Sequence, residues 1–521
     1  MRRRTGAASF QLSRRPCATA ALLALLGGVT ALGSANATAQ TWSAEAAVSA
    51  NLTASSNAAL APEGAEQNDL IGWLQPRLRL VGRGPRFDLN LDARVDLLGY
   101  ARDTQPNRAL PGVNADVQAT LVERLLFIDA GLGVNQVESN PYGGRVVEGS
   151  TGNESTAGSY RIKPYLDYEI SSRASVLALY EESGTRSFDD DLVDARSRLA
   201  LVSYESKPLP LGWGIEASRL ENLGQVGDNQ ALSNDALRVR ASATFDGELI
   251  VGAVIGREHS KFLSTDTRDT IYGLRVDWAP GPRTRLLAVV EHRFFGVGGE
   301  LGVSYRTPLM ALSLKGSRGP TTAATLSTPI SGRADLGAFL DSILKARYPE
   351  PADRAPIVGD TAAQRGFESQ PPSSIYIIAD YPQLQTGGNG TLVLHGTRTT
   401  VALTAYYQQL RLLQTSDQAS TAPTLVADAD SRQAGASIEF VRRLNRQMSA
   451  SALLRWSQIN GLEARSGDET SDLNLRLALT RQLAPRTWGS IGVQQRLIRS
   501  NIGGENRFAE TAALIGLNHR F

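Results

Sequence analysis

The sequence predicts an all-β fold: one large antiparallel transmembrane β-barrel of about 22 strands, within roughly 18 to 24, with a short helical insert and a cleaved N-terminal signal peptide. Three observations predict it. Segments of apolar/polar alternation recur along the chain, their connections alternate between tight and long, and the chain closes on an alternating strand that ends in phenylalanine.

The N-terminus carries Arg2, Arg3, Arg4, Arg14 and Arg15, then an apolar stretch from Ala18 to Leu32, then the small-residue series Ala37, Thr38, Ala39. A basic region, an apolar region and an A-x-A site read as a signal peptide over 1–39, leaving 40–521 as the barrel. Pro16 and Cys17 do not continue a twin-arginine signal, so export by the Sec route is expected. Cys17 precedes the apolar stretch and is the single cysteine of the chain. The mature protein is therefore expected to hold no disulfide and no thiolate metal site.

Removing the five signal-region arginines leaves 49 basic against 52 acidic residues, a net charge of −3. A nucleic-acid binder normally shows a basic excess, so that partner class is set aside. Beyond Leu32 no run approaches the roughly 18 apolar residues of a membrane-spanning helix. Two readings remain, a soluble periplasmic or secreted β protein and a barrel.

Residues 86–98, RFDLNLDARVDLL, give the clearest strand. Phe87, Leu89, Leu91, Ala93, Val95 and Leu97 share one face, and Asp88, Asn90, Asp92, Arg94 and Asp96 the other. In an outer-membrane barrel the apolar face meets lipid and the polar face lines the lumen. The pattern recurs around Val113 to Leu121, Leu126 to Val134, Tyr160 to Ile170, Leu237 to Phe245, Tyr272 to Trp278, Val401 to Ala405, Leu473 to Leu479 and Ile491 to Val493. Tight connections fall near Gly82 to Arg86, Glu123-Arg124, Ser171 to Arg173, Asp246-Gly247, Ala279 to Thr284, Leu444-Asn445 and Ala484 to Thr487. Long polar ones fall at Thr53 to Asn68, Arg102 to Gly112, Gln136 to Ala157, Glu221 to Asp235 and Gln414 to Asp428. This asymmetry selects the barrel, whose periplasmic turns are short and outer loops long. Pro76, Pro164, Pro308 and Pro382 fall inside expected strands and call for bulges or shorter strands, because proline cannot donate to a ladder.

Residues 316–374 break the alternation. Leu336, Phe339, Leu340, Ile343 and Leu344 follow helical spacing and Pro349 stops the run, which predicts a short amphipathic helix. With about 14 strands before the insert and about eight after it, parity places the insert in the periplasm. The final strand carries Ile515, Leu517 and Phe521 on one face, the arrangement expected of a C-terminal signal for the outer-membrane assembly machinery.

At the insert, and around PEGAEQNDLI at 62–71, the chain resembles the outer-membrane β-barrel proteins associated with PEP-CTERM and exopolysaccharide gene clusters. The residues that carry the resemblance are Thr41-Trp42, the strand start at Asn68-Asp69, DLGAFLDSILKARYPEP at 335–351 and AQRG at 363–366. It spans essentially the whole mature chain and transfers no catalytic or ligand residue. It implies a barrel that serves as a conduit or assembly component for exopolysaccharide export. Its expected partners are outer-membrane lipid, the assembly machinery, periplasmic polysaccharide export proteins and the polysaccharide itself. A general porin or small-solute channel and a structural or adhesive surface barrel stand beside that reading.

No catalytic, cofactor or metal residue is nominated. His259, His292, His395 and His519 are dispersed, none lies in a nucleophile motif, and no two have ligand spacing. Asp189, Asp190 and Asp191 offer oxygen ligands of the kind calcium takes, but an ordinary solvated acidic loop is the favoured reading. The lumen-lining candidates are Arg77, Arg79, Asp88, Asp92, Arg94, Arg161, Lys163, Arg196, Arg198, Arg238, Arg240 and Arg476. A wall of guanidinium forks can guide an anionic polymer, or its arginines can pair across strands with neighbouring acids. Of Tyr406 and Tyr407, one must face lipid, and only the other can stack on sugar.

Deleting Phe521 is expected to lower outer-membrane insertion. Unchanged levels of the truncated protein in membrane fractions would show that the assembly machinery does not read this terminus.

Overall fold

A computed structural model describes residues 41–138, 142, 154–188, 195–224, 232–262, 265–321, 382–413, 430–502 and 506–521. The expected signal peptide, the Asp189 to Asp191 cluster and the expected helix with Leu336, Phe339, Leu340, Ile343 and Leu344 lie outside these residues.

The strands are β1 Thr41–Ser55, β2 Asp69–Arg83, β3 Phe87–Tyr100, β4 Arg108–Val122, β5 Leu126–Glu138, β6 Glu154–Ser171, β7 Ala174–Ser187 and β8 Ala195–Ser206. They continue with β9 Leu211–Gly224, β10 Leu232–Phe245, β11 Leu249–Phe262, β12 Thr265–Gly281, β13 Thr284–Arg293, β14 Gly296–Arg306 and β15 Met310–Thr321. The remainder are β16 Gln383–His395, β17 Thr399–Leu412, β18 Ser431–Arg443, β19 Met448–Gly461, β20 Glu469–Ala484, β21 Thr487–Ser500 and β22 Asn506–Arg520. Each strand pairs antiparallel with the next, and β1 pairs with β22 from Ala47↔Arg520 to Ser55↔Ala512. The 22-stranded sheet therefore closes on itself and leaves no edge.

Burial is inverted relative to a water-soluble protein. On β20, Leu473, Leu475, Leu477 and Leu479 are 39–45% exposed, whereas Asn474 and Arg476 between them are 1% and 7% exposed. The apolar set faces outward, as a lipid-facing surface requires. The ladder registers carry that assignment around the barrel and place Leu89, Leu91 and Leu97 of β3 outward and Asp88, Asp92 and Asp96 inward. Trp42, Tyr168, Trp213, Phe245 and Trp278 are exposed near the end that carries both termini, where an aromatic girdle meets the membrane interface. This is an outer-membrane protein.

Every connection at the end with the termini is tight. Between β10 and β11, Asp246 (φ 50°) and Gly247 (φ 71°) both adopt left-handed conformations, and the Glu248 N–H donates to Phe245 O at 3.1 Å. That is the type I′ geometry for which Asp-Gly is suited. After β4, Arg86 donates to Glu123 at 2.8 Å, and this bond with the guanidinium charge holds the carboxyl below its ordinary pKa.

Two of the four awkward prolines sit in strands, and each coincides with a break in the ladder. The β2–β3 register passes from Leu74↔Leu97 to Arg77↔Arg94, skipping Gln75 and Pro76. The β6–β7 register passes from Ile162↔Glu182 to Tyr165↔Leu179, skipping Lys163 and Pro164. Pro308 lies in the turn before β15, and Pro382 immediately precedes β16.

The expected division of about 14 and eight strands is corrected to 15 before the insert and seven after it. Residues 316–321 belong to β15, so the break in the strand pattern starts later than the sequence suggests. The β15–β16 connection consequently leaves and returns at the end opposite the termini, the outer face, and the periplasmic placement is overturned. One source of ambiguity is Phe294-Phe295, a two-residue connection between β13 and β14 at the outer end. It bears no polar turn residues, and HRFFGVGGE reads as one continuous strand.

Leu91→Arg or Leu475→Arg is expected to cost about 2 to 4 kcal/mol near the bilayer midplane and to impair assembly, with Asp92→Asn mild by comparison. An insertion assay that tolerates both faces equally would contradict the inside-out assignment.

Candidate functional site: the lumen wall and the outer mouth

Ten of the twelve lumen candidates face inward: Arg77, Arg79, Asp88, Asp92, Arg94, Arg161, Lys163, Arg238, Arg240 and Arg476. Arg196 and Arg198 do not, which corrects their assignment to the lumen. Their register partners Gly184 and Glu182 on β7 fall on the outward face with Ile162 of β6. The sequence ARSRLALVSY is apolar in both phases, with Leu199 and Leu201 on one face and Ala200 and Val202 on the other. Its orientation is therefore set by pairing with β7 and β9.

The inward charges largely neutralise one another. Arg77 grips Asp92 with two nitrogens, Nε to Oδ1 at 3.1 Å and Nη2 to Oδ2 at 2.6 Å. Asp96 accepts from Trp73 Nε1 at 3.0 Å and Gln75 Nε2 at 2.6 Å, and Arg94 Nε lies 3.6 Å away. Lys163 meets Asp129 at 2.7 Å and sits over the Tyr165 ring.

A larger network runs along β9 to β13. Arg240 and Arg238 share Glu216, Arg238 reaches Glu291 at 3.5 Å, and Arg293 bridges Glu291 at 3.9 Å and Glu258 at 2.7 Å. Glu258 also accepts the Phe294 N–H at 2.6 Å, so the network ends on the tight outer turn. Its three arginines and three glutamates cancel. Arg79 and Arg161 make no ion pair or hydrogen bond with any described residue.

From β16 to β22 the wall changes character to amides and hydroxyls. Thr400, Thr404, Gln408, Gln433, Ser437 and Asn474 are inward and buried. Tyr406 faces inward with them, while Tyr407 faces lipid. The charged exceptions are held tightly. Arg496, fully buried, binds Asp472 at 2.6 Å, and Arg476 donates twice to Gln494, at 3.0 and 2.7 Å. The Ser55 hydroxyl donates to Glu510 at 2.6 Å across the closing seam.

Apolar clusters draw connections inward at the outer mouth. Ala58, from the β1–β2 connection, packs on Ile71, Leu98 and Tyr100, and Asn57 anchors that segment by donating to Ala61 O at 2.8 Å and Ala509 O at 3.2 Å. Tyr142, from the β5–β6 connection, packs on Ile459, and its carbonyl accepts from Thr470 Oγ1 at 3.0 Å. It thus reaches from one part of the rim to β19 and β20 on another. Phe294 and Phe295 meet edge to face and join Leu232 and Leu413 in a further cluster. The sequence reading missed these mouth residues because inward apolar side chains look like lipid-facing ones.

The histidines remain dispersed. His259 and His292 face outward, His259 against Asp266 at 2.5 Å and His292 stacked on Tyr272. His395 lies beside Thr400, and His519 beside Thr487. No group of three or more metal-ligating side chains occurs among the described residues.

No family model and no curated protein matches the chain. Similar solved structures include the siderophore receptor PirA from Pseudomonas aeruginosa, at 9% identity over 92% of this chain and 80% of that chain, with a TM-score of 0.39. The ferric-catecholate import receptor Fiu from K12 E. coli is also 9% identical, over 91% of this chain and 82% of that chain, with a TM-score of 0.42. The outer membrane protein opdK from Pseudomonas aeruginosa is 9% identical over 92% of this chain and 99% of that chain, with a TM-score of 0.32.

Asp472→Ala is expected to destabilise the barrel by about 3 to 5 kcal/mol, because it strands a buried guanidinium. Asp92→Ala, which breaks a partly solvated pair, should cost about 1 kcal/mol or less. Denaturant unfolding of the refolded variants checks the ordering.

Proposed function

We propose that this protein is a passive outer-membrane conduit for a polar polymer, with exopolysaccharide as the cargo. The observation that carries the reading is a lumen wall that neutralises most of its own charge and presents amides and hydroxyls over β16 to β22. Transport through a pore needs contacts favourable enough to admit cargo and weak enough to release it. Polyhydroxylated chains exchange hydrogen bonds with such groups without meeting a deep electrostatic trap. The exposed Arg79 and Lys315 and the half-buried Arg161, none with an ion pair to a described residue, add cations that suit occasional carboxylate or phosphate substituents on the polymer. The family resemblance at 62–71 and 335–351 supports the same cargo class.

A general small-solute channel is the second reading, favoured by the same charge balance. The two separate by experiment. Deleting the gene is expected to trap polymer in the periplasm, and polysaccharide fragments are expected to block the single-channel current of the purified barrel in planar bilayers. Normal polymer export in the deletion strain, together with a current indifferent to saccharide, would exclude polymer transport. Small-sugar uptake into liposomes under those conditions would then favour the channel.

A further inference from the structure

The lipid-facing surface of β7 to β12 carries charge where an apolar belt would be expected to fade gradually. One cross-strand row on this face runs Val176, Tyr204, Ile215, Val239, Ile255, Tyr272 and is free of formal charge. Moving toward the outer end, the next rows bring in Arg257, then Arg219, Asp235, His259 and Arg268, then Glu182, Arg198, Glu221, Lys261 and Asp266. With Arg196, six basic residues face four acids on this patch.

Most of these charges are satisfied within the protein. Glu182 accepts from Arg196 and Arg198, Arg219 bridges Glu221 at 2.7 Å and Asp235 at 3.7 Å, and Asp266 takes His259 at 2.5 Å and Lys261 at 3.8 Å. Arg257 and Arg268 are the exceptions, with no ion pair or hydrogen bond to any described residue. Because Arg257 pairs in register with Thr270 and His259 with Arg268, the two arginines are diagonal cross-strand neighbours. Such positions lie roughly 7 to 8 Å apart, close enough for both guanidiniums to grip one tetrahedral anion.

Depth and shape identify the anion. Arg257 lies five residues before the end of β11, and at about 3.3 Å per residue on a strand tilted by roughly 40° it sits about 13 Å below the strand end. That is the junction between the apolar belt and the outer rim. A groove of about 760 Å³ opens here, bounded by Arg219, Arg257, His259 and Arg268, with Asp235 held by Arg219, and floored by the small side chains of Ala200 and Ala217, with Val202 and Leu237 on its apolar side. An acyl chain fits the apolar part, and a phosphate at the headgroup level meets the arginines.

We propose that this groove binds a phosphorylated glycolipid of the outer leaflet, of the lipid A type, with Arg257 and Arg268 holding one phosphate. The site is separate from the lumen and independent of the cargo. The test uses native mass spectrometry of the full-length mature barrel in neutral detergent, titrated with bisphosphorylated lipid A and with its dephosphorylated form. Wild-type protein is expected to retain the phosphorylated lipid at least tenfold more tightly. Arg257→Gln with Arg268→Gln should abolish that difference, Arg257→Lys with Arg268→Lys should keep most of it, and Arg306→Gln at a periplasmic turn should leave it intact. Equal retention of the two lipids by wild type, or an undiminished preference in the double glutamine variant, would overturn the proposal. If the glutamine variant fails to give the folded, heat-modifiable band, the wild-type lipid comparison and the lysine variant still decide it.

Discussion

The constraint on which the structure depends is the absence of water in the bilayer core. A backbone N–H or C=O left unpaired there costs several kcal/mol, so strands can cross only as a closed sheet. The β1–β22 ladder from Ala47↔Arg520 to Ser55↔Ala512 meets that demand, and the alternation of side chains follows from it, because one face of every strand must meet lipid and the other the lumen. Two of the prolines inside strands are informative in this light. Pro76 and Pro164 each lack the N–H the ladder would use, and the ladder is interrupted beside both.

A lumen of this size has to manage many inward polar groups without the help of a packed core. Along β2 to β13 it does so with opposite charges on neighbouring strands, most extensively in the Arg240–Glu216–Arg238–Glu291–Arg293–Glu258 chain. Pairs of this kind add little to stability where water reaches them. Their effect is to remove net charge from the lumen while keeping the wall polar. The mouth clusters act differently: apolar burial at Ala58, Tyr142 and Phe294 holds outer connections against the wall.

Much of this was legible in the sequence. Period-2 alternation on β3, β6, β10 and β20 showed both faces, because their apolar and charged residues separate cleanly, and the tight turns marked the periplasmic end. Three things resisted. Arg196 and Arg198 were placed on the wrong face because β8 is apolar in either phase, so only its neighbours decide the register. The strand count went astray by one on each side of the insert, and before it the Phe294-Phe295 connection shows how an outer turn can lack polar markers. The mouth residues escaped because local sequence says nothing about which loops meet across a barrel.

Unequal hairpin heights give the mouth a further property. Beyond the pair Tyr272↔His292, β12 continues for seven residues toward the outer end, whereas β13 stops after Arg293. Six residues at about 3.3 Å make a step of roughly 20 Å along the strand, well above the one-residue stagger that strand tilt alone introduces. The outer ends of β13 to β16 then follow one ladder row, through Arg293↔Gly296 and Thr321↔Gln383, so the one-residue stagger regains the level strand by strand toward β16. Among the described residues the rim is thus notched at β13 and β14, beside the tall β12 strand, and the tight Phe294-Phe295 turn sits at the bottom of that notch.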